Sequence, residues 1–240
     1  MKQRFDSKKL LYKKKGTIFL LLPLFLAPTS FFIESVSATN LVMNSDFSNS
    51  VEIGFTTEYS RGVAPGYMGI ALNERAYELT NNPSLVHSSF TTFGDHTTGN
   101  GNMMVANGSD FFPALLWSQT VNVEKDTSYV FSAWAATIFP QTRLEFSINS
   151  VVLGVLNLSK PVGEWEQFSK TWISANASSA TLSIRDPEIN YAGNDFAVDD
   201  ISFTAQSKPV PVPGILGGVI LASGVFGFRS FKNKSLKAKI

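Results

Sequence analysis

The residues best suited to chemistry are two adjacent acids, Asp199 and Asp200, in the sequence "VDDI". On a strand whose Ile201 and Phe203 face a core, alternation directs Asp199 inward and Asp200 outward. A lone buried carboxylate is costly unless it is paired, hydrogen-bonded or bound to a metal. Asp199 is therefore predicted either to accept backbone N–H bonds in the N-terminal loop or to bind a cation.

Four tryptophans are candidates for sugar stacking, because the C–H faces of sugars pack on aromatic rings. Trp134 and Trp172 fall on predicted strands, where a large aromatic ring of a sandwich is expected in the core. Trp117 and Trp165 fall on or beside strands, and the sequence leaves both roles, core and platform, open to them.

Three tyrosines, Tyr59, Tyr67 and Tyr191, lie in loop-like sequence and are equally open as platforms. No pair of aromatic residues is favoured over the others. From both groups we take Trp117, Trp165 and Tyr67 as the candidate ligand-binding residues.

Residues for catalysis follow no recognised pattern. His87 and His96 lie in polar or loop-like sequence without an H-x-x-x-H or G-x-S-x-G motif nearby. Glu164 and Glu166 share one face of a strand, whereas a glycosidase pair normally faces across a sugar from separate strands. The absence of cysteine excludes disulfides, thiolate metal sites and cysteine nucleophiles. The sequence therefore predicts a protein that is not an enzyme.

Charge is segregated along the chain, although the net charge is only +1. The first fifteen residues contain seven basic groups, and the segment after Phe228 contains five. Between Thr39 and Lys208 there are 8 basic and 17 acidic residues. An acidic body excludes nucleic acid as its expected partner, whereas basic ends beside apolar runs suit the cytoplasmic side of a membrane.

The N-terminus predicts a secretory signal peptide over residues 1–38. A basic region precedes an apolar stretch at 17–33, and Val36 and Ala38 occupy the two positions that a signal peptidase recognises. The alternative is an uncleaved anchor helix. In either case the body is expected to be exported.

The C-terminus divides into a Pro-rich linker at 205–213, an apolar segment at 214–231 and a basic tail at 232–240. The densely apolar run at 215–228 is fourteen residues long. As a helix it spans roughly 21 Å, less than a bilayer core of roughly 30 Å. The segment is predicted to be a transmembrane helix that spans only marginally, with the basic tail in the cytoplasm.

The motif Val210-Pro211-Val212-Pro213 precedes this apolar segment. A Pro-containing motif, a helix rich in small residues and a basic end, in this order, resemble the PEP-CTERM sorting signal of Gram-negative bacteria and cyanobacteria. The usual motif is Val-Pro-Glu-Pro, so Val212 stands where Glu is common. The resemblance implies cleavage by a membrane-embedded exosortase and delivery to the cell surface or extracellular matrix. A plain C-terminal anchor is the alternative.

The body at 39–204 alternates apolar and polar residues with period 2, which predicts an all-β fold. Eight or nine short strands favour a jelly-roll β-sandwich. Asn149-Ser150 is predicted to form a hairpin turn, and Gly94–Asn102 an exposed loop. The predicted strands are Tyr67–Leu72, Met103–Ala106, Trp117–Val123, Ser128–Ala136, Arg143–Asn149, Val151–Asn157, Glu166–Ser174, Ala180–Arg185 and Phe196–Thr204.

Four stretches of the body resemble, in the same order, motifs of carbohydrate-binding modules in the galactose-binding-like jelly-roll superfamily. They are "NLVMNSDF" at 40–47, "LWSQTVNVEKDTSYVFSAWA" at 116–135, "GEWEQFSKTWISANASSATLSI" at 163–184 and "NDFAVDDISF" at 194–203. The resemblance implies the fold strongly and the ligand weakly, since one fold hosts many functions.

The same resemblance implies a calcium site. In these modules a Ca²⁺ ion often lies between the first and last strands, held by an Asp of the last strand, an N-terminal acid and backbone carbonyls. The matching residues are Asp199 and Asp46, and such oxygen ligands suit Ca²⁺. Ser48 stands where the modules have Glu, which removes one ligand. A structural calcium ion and a hydrogen-bonded, metal-free Asp199 are the two options.

The expected function is therefore that of an exported, non-catalytic sandwich that binds or embeds in extracellular polysaccharide. Its expected partners are that polysaccharide, an exosortase-like processing enzyme and, before processing, the membrane. The alternative is a structural matrix or adhesion protein that acts through protein contacts without binding sugar.

Overall fold

The computed structural model describes residues 38–51, 53–66, 69–139, 142–189 and 193–206. The predicted signal peptide up to residue 37, the tail beyond residue 206 and the candidate Tyr67 lie outside these residues. Within the described ranges, the chain contains no helix with the length and apolar content needed to cross a membrane.

Twelve strands and one short 3₁₀ helix, at Pro83–Leu85, form the described fold. The strands are β1 (Ser60–Arg61), β2 (Ala64–Gly66), β3 (Gly69–Ala71), β4 (Ala76–Thr80), β5 (Met103–Asn107), β6 (Ala114–Asn122), β7 (Ser128–Thr137), β8 (Arg143–Ile148), β9 (Val151–Asn157), β10 (Trp165–Ile173), β11 (Ser179–Asp186) and β12 (Phe196–Ala205).

Ten of these strands form two packed sheets. The six-stranded sheet has the order β1-β4-β5-β12-β7-β10, the four-stranded sheet has the order β6-β11-β8-β9, and β2 and β3 form a separate pair. From β5 to β12 the chain changes sheet at every connection except the β8–β9 hairpin, as is typical of jelly rolls. The predicted all-β sandwich is confirmed, with more strands than expected.

Strands β5 to β12 lie within three residues of their predicted boundaries. The alternation of β11 is confirmed, because Ala180, Leu182 and Ile184 are all buried. The predicted hairpin turn is also confirmed: Asn149 and Ser150 have φ angles of 50° and 65°, the left-handed pair that a two-residue hairpin requires.

The sequence missed β4, which is only five residues long and alternates apolar and polar residues only over Tyr77–Thr80. Tyr77 and Leu79 pack in the core between the sheets, while Ala76 packs in a second core on the other side of the six-stranded sheet. Four alternating residues are the shortest run that indicates a strand, and the consecutive apolar pair Ala76-Tyr77 weakens the signal further.

The second core lies on the outer face of the six-stranded sheet, which is the face turned away from the four-stranded sheet. The chain between β4 and β5, residues 81–102, crosses this face and packs Val86 and Phe90 against Met103 and Val105. The outer face is therefore covered at β4 and β5.

A β-bulge in β12 changes which way its side chains point. Phe196 and Val198 pack in the core between the sheets, and so do Ile201 and Phe203. Val198 and Ile201 are three positions apart, whereas residues on one face of a regular strand are separated by an even number of positions. The register against β7 shifts between Asp199 and Ser202, where Asp200 has a φ angle of 47°. The prediction that Asp199 shares the inward face of Ile201 is therefore wrong, because the extra residue of the bulge reverses the alternation.

Candidate functional site

A cluster of aromatic and hydrogen-bonded side chains lies on the outer face at β7 and β10. The imidazole of His96 stacks on the ring of Trp134, with centroids 3.9 Å apart and an interplanar angle of 15°. It also meets the ring of Trp165 edge-on at 5.8 Å. Its Nδ1 atom lies 2.6 Å from a carboxylate oxygen of Asp200. We call His96, Trp134, Trp165 and Asp200 the His96 cluster.

The bulge in β12 holds the loop that carries His96. One oxygen of Asp199 accepts hydrogen bonds from the backbone N–H groups of His96 and Thr97, at 2.9 and 3.1 Å. The hydroxyl of Thr97 donates to Asp200 at 2.7 Å. The Trp165 indole N–H donates to the carbonyl of Gly94. Contacts from two consecutive acids and a tryptophan thus fix the loop on the sheet.

The loop is also folded by its own residues. The buried carboxylate of Asp95 accepts hydrogen bonds from the N–H groups of Thr98 and Gly101. A Cβ atom at Gly94 would lie 2.1 Å from the carbonyl oxygen of Gly99, so only glycine allows this close approach. The stretch predicted to be an exposed loop is a loop, but Asp95 is buried and His96 is half-buried.

Asp199 is in an unfavourable electrostatic position. Its side chain is fully buried, and its Oδ1 atom has no hydrogen-bond partner among the described residues. Burial raises the pKa of Asp199 to about 7, and the negative charge of Asp200 acts in the same direction. The hydrogen bonds that Asp199 accepts from backbone N–H groups act in the opposite direction. The carboxyl group is therefore poised between its two protonation states near neutral pH.

The outer face is open beyond the His96 cluster, where rows of side chains run across β12, β7 and β10. Their residues are half-buried or exposed, apart from the buried Asp199. Strand pairing gives the rows Asp199–Trp134–Gln167, Ser202–Ser132–Ser169 and Thr204–Val130–Thr171. Neighbouring rows are about 6.6 Å apart along the strands. We call the second and third rows, with Gln167, the open strip.

The hydroxyl groups of the open strip are available to a ligand. In the described part of the chain, Ser132, Ser169 and Ser202 form no side-chain hydrogen bond, and neither do Thr171 and Thr204. Surface hydroxyls without internal partners exchange bonds with water or with the hydroxyl groups of a ligand. The strip is thus a polar surface that ends at a rigid aromatic cluster.

The structure places the predicted aromatic candidates in different environments. Trp165 is half-buried and belongs to the His96 cluster, so it remains a candidate ligand-binding residue. Trp117 is 1% exposed in the core between the sheets, so its ring is not available to a ligand and it is removed from the candidates. Trp172 packs against that core, as expected, but Trp134 lies on the outer face instead.

The two predicted calcium ligands have separate partners. Asp46 accepts a hydrogen bond from the backbone N–H of Ser48 in its own loop, whereas Asp199 accepts bonds from the loop at 94–102. No group of three or more acidic or histidine side chains that could hold a metal is present in the described ranges. At the predicted calcium site, the unpartnered Oδ1 of Asp199 is a feature that suits a cation.

Sequence reasoning missed His96, Trp134 and Asp200 as parts of one site. His96 lies in a polar loop 38 residues before Trp134, and Asp200 was expected to face solvent. A Gly-rich loop with a single histidine is a weak signal, because nothing in its sequence shows which strand it covers.

The acid that follows Trp165 in the chain, Glu166, has a structural role. Glu166 accepts hydrogen bonds from the N–H groups of Ser159 and Lys160, at 2.6 and 2.9 Å. Burial alone would raise the pKa of Glu166, but these donors hold it below its usual value. Glu166 thus fixes the connection between β9 and β10, and it is not proposed as a catalytic acid.

No family model matches the chain, and no curated protein matches it. TmCBM61, solved in complex with β-1,4-galactotriose, is similar over 70% of this chain and 100% of that chain, at 13% identity and a TM-score of 0.46. The CBM22-1 xylan-binding domain of Paenibacillus barcinonensis Xyn10C is similar over 70% of this chain and 96% of that chain, at 11% identity and a TM-score of 0.40.

The enzymatically active domain of bacteriophage CBA120 tailspike protein 4 is similar at 13% identity and a TM-score of 0.44. The match covers 70% of this chain but only 21% of that chain. TM-scores below 0.5 leave the topology and the ligand of this chain to be argued from its own residues.

A second group of acids affects stability at the N-terminal end of β12. Burial raises the pKa of Glu74 to about 7, helped by the charges of Asp195 and Asp110. Burial also raises the pKa of Asp195 to about 6, helped by Asp186. These groups titrate in the same range as Asp199.

We predict that the free energy of unfolding falls as pH rises from about 4 to 7. Asp199, Glu74 and Asp195 have raised pKa values in the folded state, so the folded protein binds more protons and loses stability as they ionise. Asp199→Asn should reduce the total loss of stability over this pH range by up to about 4 kcal/mol, and so flatten the slope, while leaving the part due to Glu74 and Asp195. Denaturant unfolding at a series of pH values measures the slope.

The control for this prediction is Asp126→Asn, at an exposed turn position with a φ angle of 50° that Asn also adopts. It should leave the slope unchanged. An Asp199→Asn slope equal to that of the unmodified protein would show that Asp199 does not titrate in this range.

Proposed function

We propose that this protein binds extracellular polysaccharide on the outer face of its six-stranded sheet, without catalysing a reaction. The observation that carries the proposal is the open strip ending at the His96 cluster. It offers unpaired hydroxyl groups beside partly exposed aromatic rings, and these are the groups that bind sugar hydroxyls and sugar C–H faces. The resemblance of the sequence to carbohydrate-binding modules supports the same function.

The shape of the surface suits a chain rather than a single sugar. The strip crosses three strands, and its rows lie on a sheet face without an enclosing wall in the described residues. A polymer that lies along such a face makes several weak contacts at once, and their combination gives affinity that no single contact provides.

We predict that Ser169→Arg weakens polysaccharide binding at least about tenfold, equivalent to roughly 1.4 kcal/mol. Ser169 is exposed at the edge of the strip, so a bulky charged side chain there would block it without disturbing the core. Binding would be measured by affinity electrophoresis and calorimetry against a galactan, a xylan, a glucan, an alginate and the exopolysaccharide of the host.

The matched control is Thr120→Arg, which makes the same kind of change at an exposed hydroxyl residue of the four-stranded sheet. It should bind as the unmodified protein does. If the unmodified protein binds none of these polymers, the proposal is wrong, and the alternative of a matrix or adhesion protein acting through protein contacts takes its place.

A structural calcium ion at Asp199 and Asp46 stays a prediction. If the ion is bound there, Ca²⁺ raises the melting temperature relative to a chelator, because a ligand that binds only the folded state stabilises it. Asp46→Asn should then abolish the increase. A melting temperature that the chelator does not change would contradict calcium and leave Asp199 with its loop contacts alone.

We further propose that the protein is exported, and that an exosortase-like enzyme processes its tail and releases it to the cell surface or matrix. The supports are the sequence patterns at 1–38 and 205–240, which include Val210-Pro211-Val212-Pro213. Mass spectrometry of the protein from its host should find a first residue at 39 and a C-terminus near this motif.

Replacing Pro211 and Pro213 with alanine should leave the tail attached and the protein in the membrane fraction. Replacing Pro209 with alanine, just before the motif, is the control and should not change processing. A mature protein that keeps residue 240 would support the plain anchor instead.

A further inference from the structure

We propose that His96 contacts the ligand directly, with its Nε2 atom accepting a hydrogen bond from a hydroxyl group of an uncharged sugar. The inference rests on the proposed function, because it assigns the ligand class and a specificity-determining residue at the same face. His96 was not among the candidates that the sequence suggested.

The first support is that the imidazole is held rigidly. It stacks on Trp134 at 3.9 Å, meets Trp165 edge-on at 5.8 Å and is bonded through Nδ1 to Asp200 at 2.6 Å. Three contacts from three neighbouring strands leave the ring little rotational freedom. A side chain that is already ordered does not lose conformational entropy when it binds a ligand.

The second support is the chemistry left at Nε2. An ionised carboxylate only accepts hydrogen bonds, so the short contact with Asp200 places the proton of the neutral imidazole on Nδ1. The other ring nitrogen, Nε2, is then an acceptor. Among the described residues Nε2 has no hydrogen-bond partner, and the side chain of His96 is 28% exposed. A sugar hydroxyl is a donor of the required kind.

The third support concerns ligand charge. Asp199 and Asp200 lie directly beneath the loop that carries His96, and the body from Thr39 to Lys208 has 17 acidic and 8 basic residues. Carboxylate or sulfate groups on a sugar would be repelled by this surface. The oxygens of Asp200 are already engaged by His96 and Thr97, so the site offers no free carboxylate to attract a cationic sugar. Uncharged polysaccharides fit best.

The test compares His96→Phe with His87→Phe in the full mature protein. Phenylalanine keeps a flat ring on Trp134 but removes both ring nitrogens, whereas His87 stacks on Phe90 in the second core and does not touch the strip. His96→Phe should weaken binding of the neutral galactan, xylan or glucan about five- to tenfold, as expected for one lost hydrogen bond. His87→Phe should bind normally, and alginate should bind to none of the proteins.

A second measurement does not depend on a variant. In the unmodified protein, adding an oligosaccharide of the bound polymer should shift the ¹⁵Nε2 resonance of His96 and leave that of His87 in place. If the unmodified protein binds a neutral polymer while His96→Phe binds equally well and the resonance does not move, the role of His96 is refuted and the proposed function stands. Preferential binding of alginate would refute the neutral ligand class, and absence of all binding would refute both proposals.

Discussion

The bulge in β12 is the constraint on which the site depends. β12 is a central strand, paired with β5 through residues 196–198 and with β7 along most of its length. Without the bulge, a regular strand that keeps Ile201 and Phe203 in the core would also point Asp199 into that core, where an unpaired carboxylate costs several kcal/mol. With it, Ile201 and Phe203 keep their places in that core while Asp199 and Asp200 both reach the loop on the outer face.

That loop divides the outer face into two parts with different chemistry. On the side of β4 and β5, the segment at 81–102 buries apolar residues and makes a second core, which stabilises the sheet. On the side of β7 and β10, the sheet face stays open and carries hydroxyl groups. The His96 cluster lies at the boundary, where packing against the covered part orders the side chains that face the open part. Rigid support of this kind is what a binding surface needs.

Structural features that are set by a few adjacent residues could be predicted from the sequence, whereas features without such a local signal could not. Alternation in β11 and the Asn149-Ser150 turn are encoded in a few adjacent residues, and both were predicted correctly. β4 was missed because it is five residues long and alternates over only four of them, the shortest run that indicates a strand. The face of Asp199 was predicted wrongly because a bulge adds a residue without any marker beyond the adjacent acids.

The candidate site was harder to predict, because its parts are distant in the chain. Trp165 was identified as a candidate, but its partners His96 and Asp200 come from a loop about 70 residues earlier and a strand 35 residues later. Trp117, by contrast, was a candidate ligand-binding residue whose ring is buried in the structure. Its position on a strand allowed either role, and only the register of β6 against β11 places it in the core.

The raised pKa of Asp199 connects the fold to the proposed binding surface. Burial of this carboxylate costs stability, and hydrogen bonds from His96 and Thr97 offset only part of the cost, since Oδ1 has no partner. A protein that needed the sheet only as a scaffold would be more stable with an apolar residue at this position. The acid is therefore explained by what it holds in place. It fixes the backbone of the loop so that Asp200 can orient the imidazole, and the cost in stability is the consequence of ordering His96 at the end of the open strip.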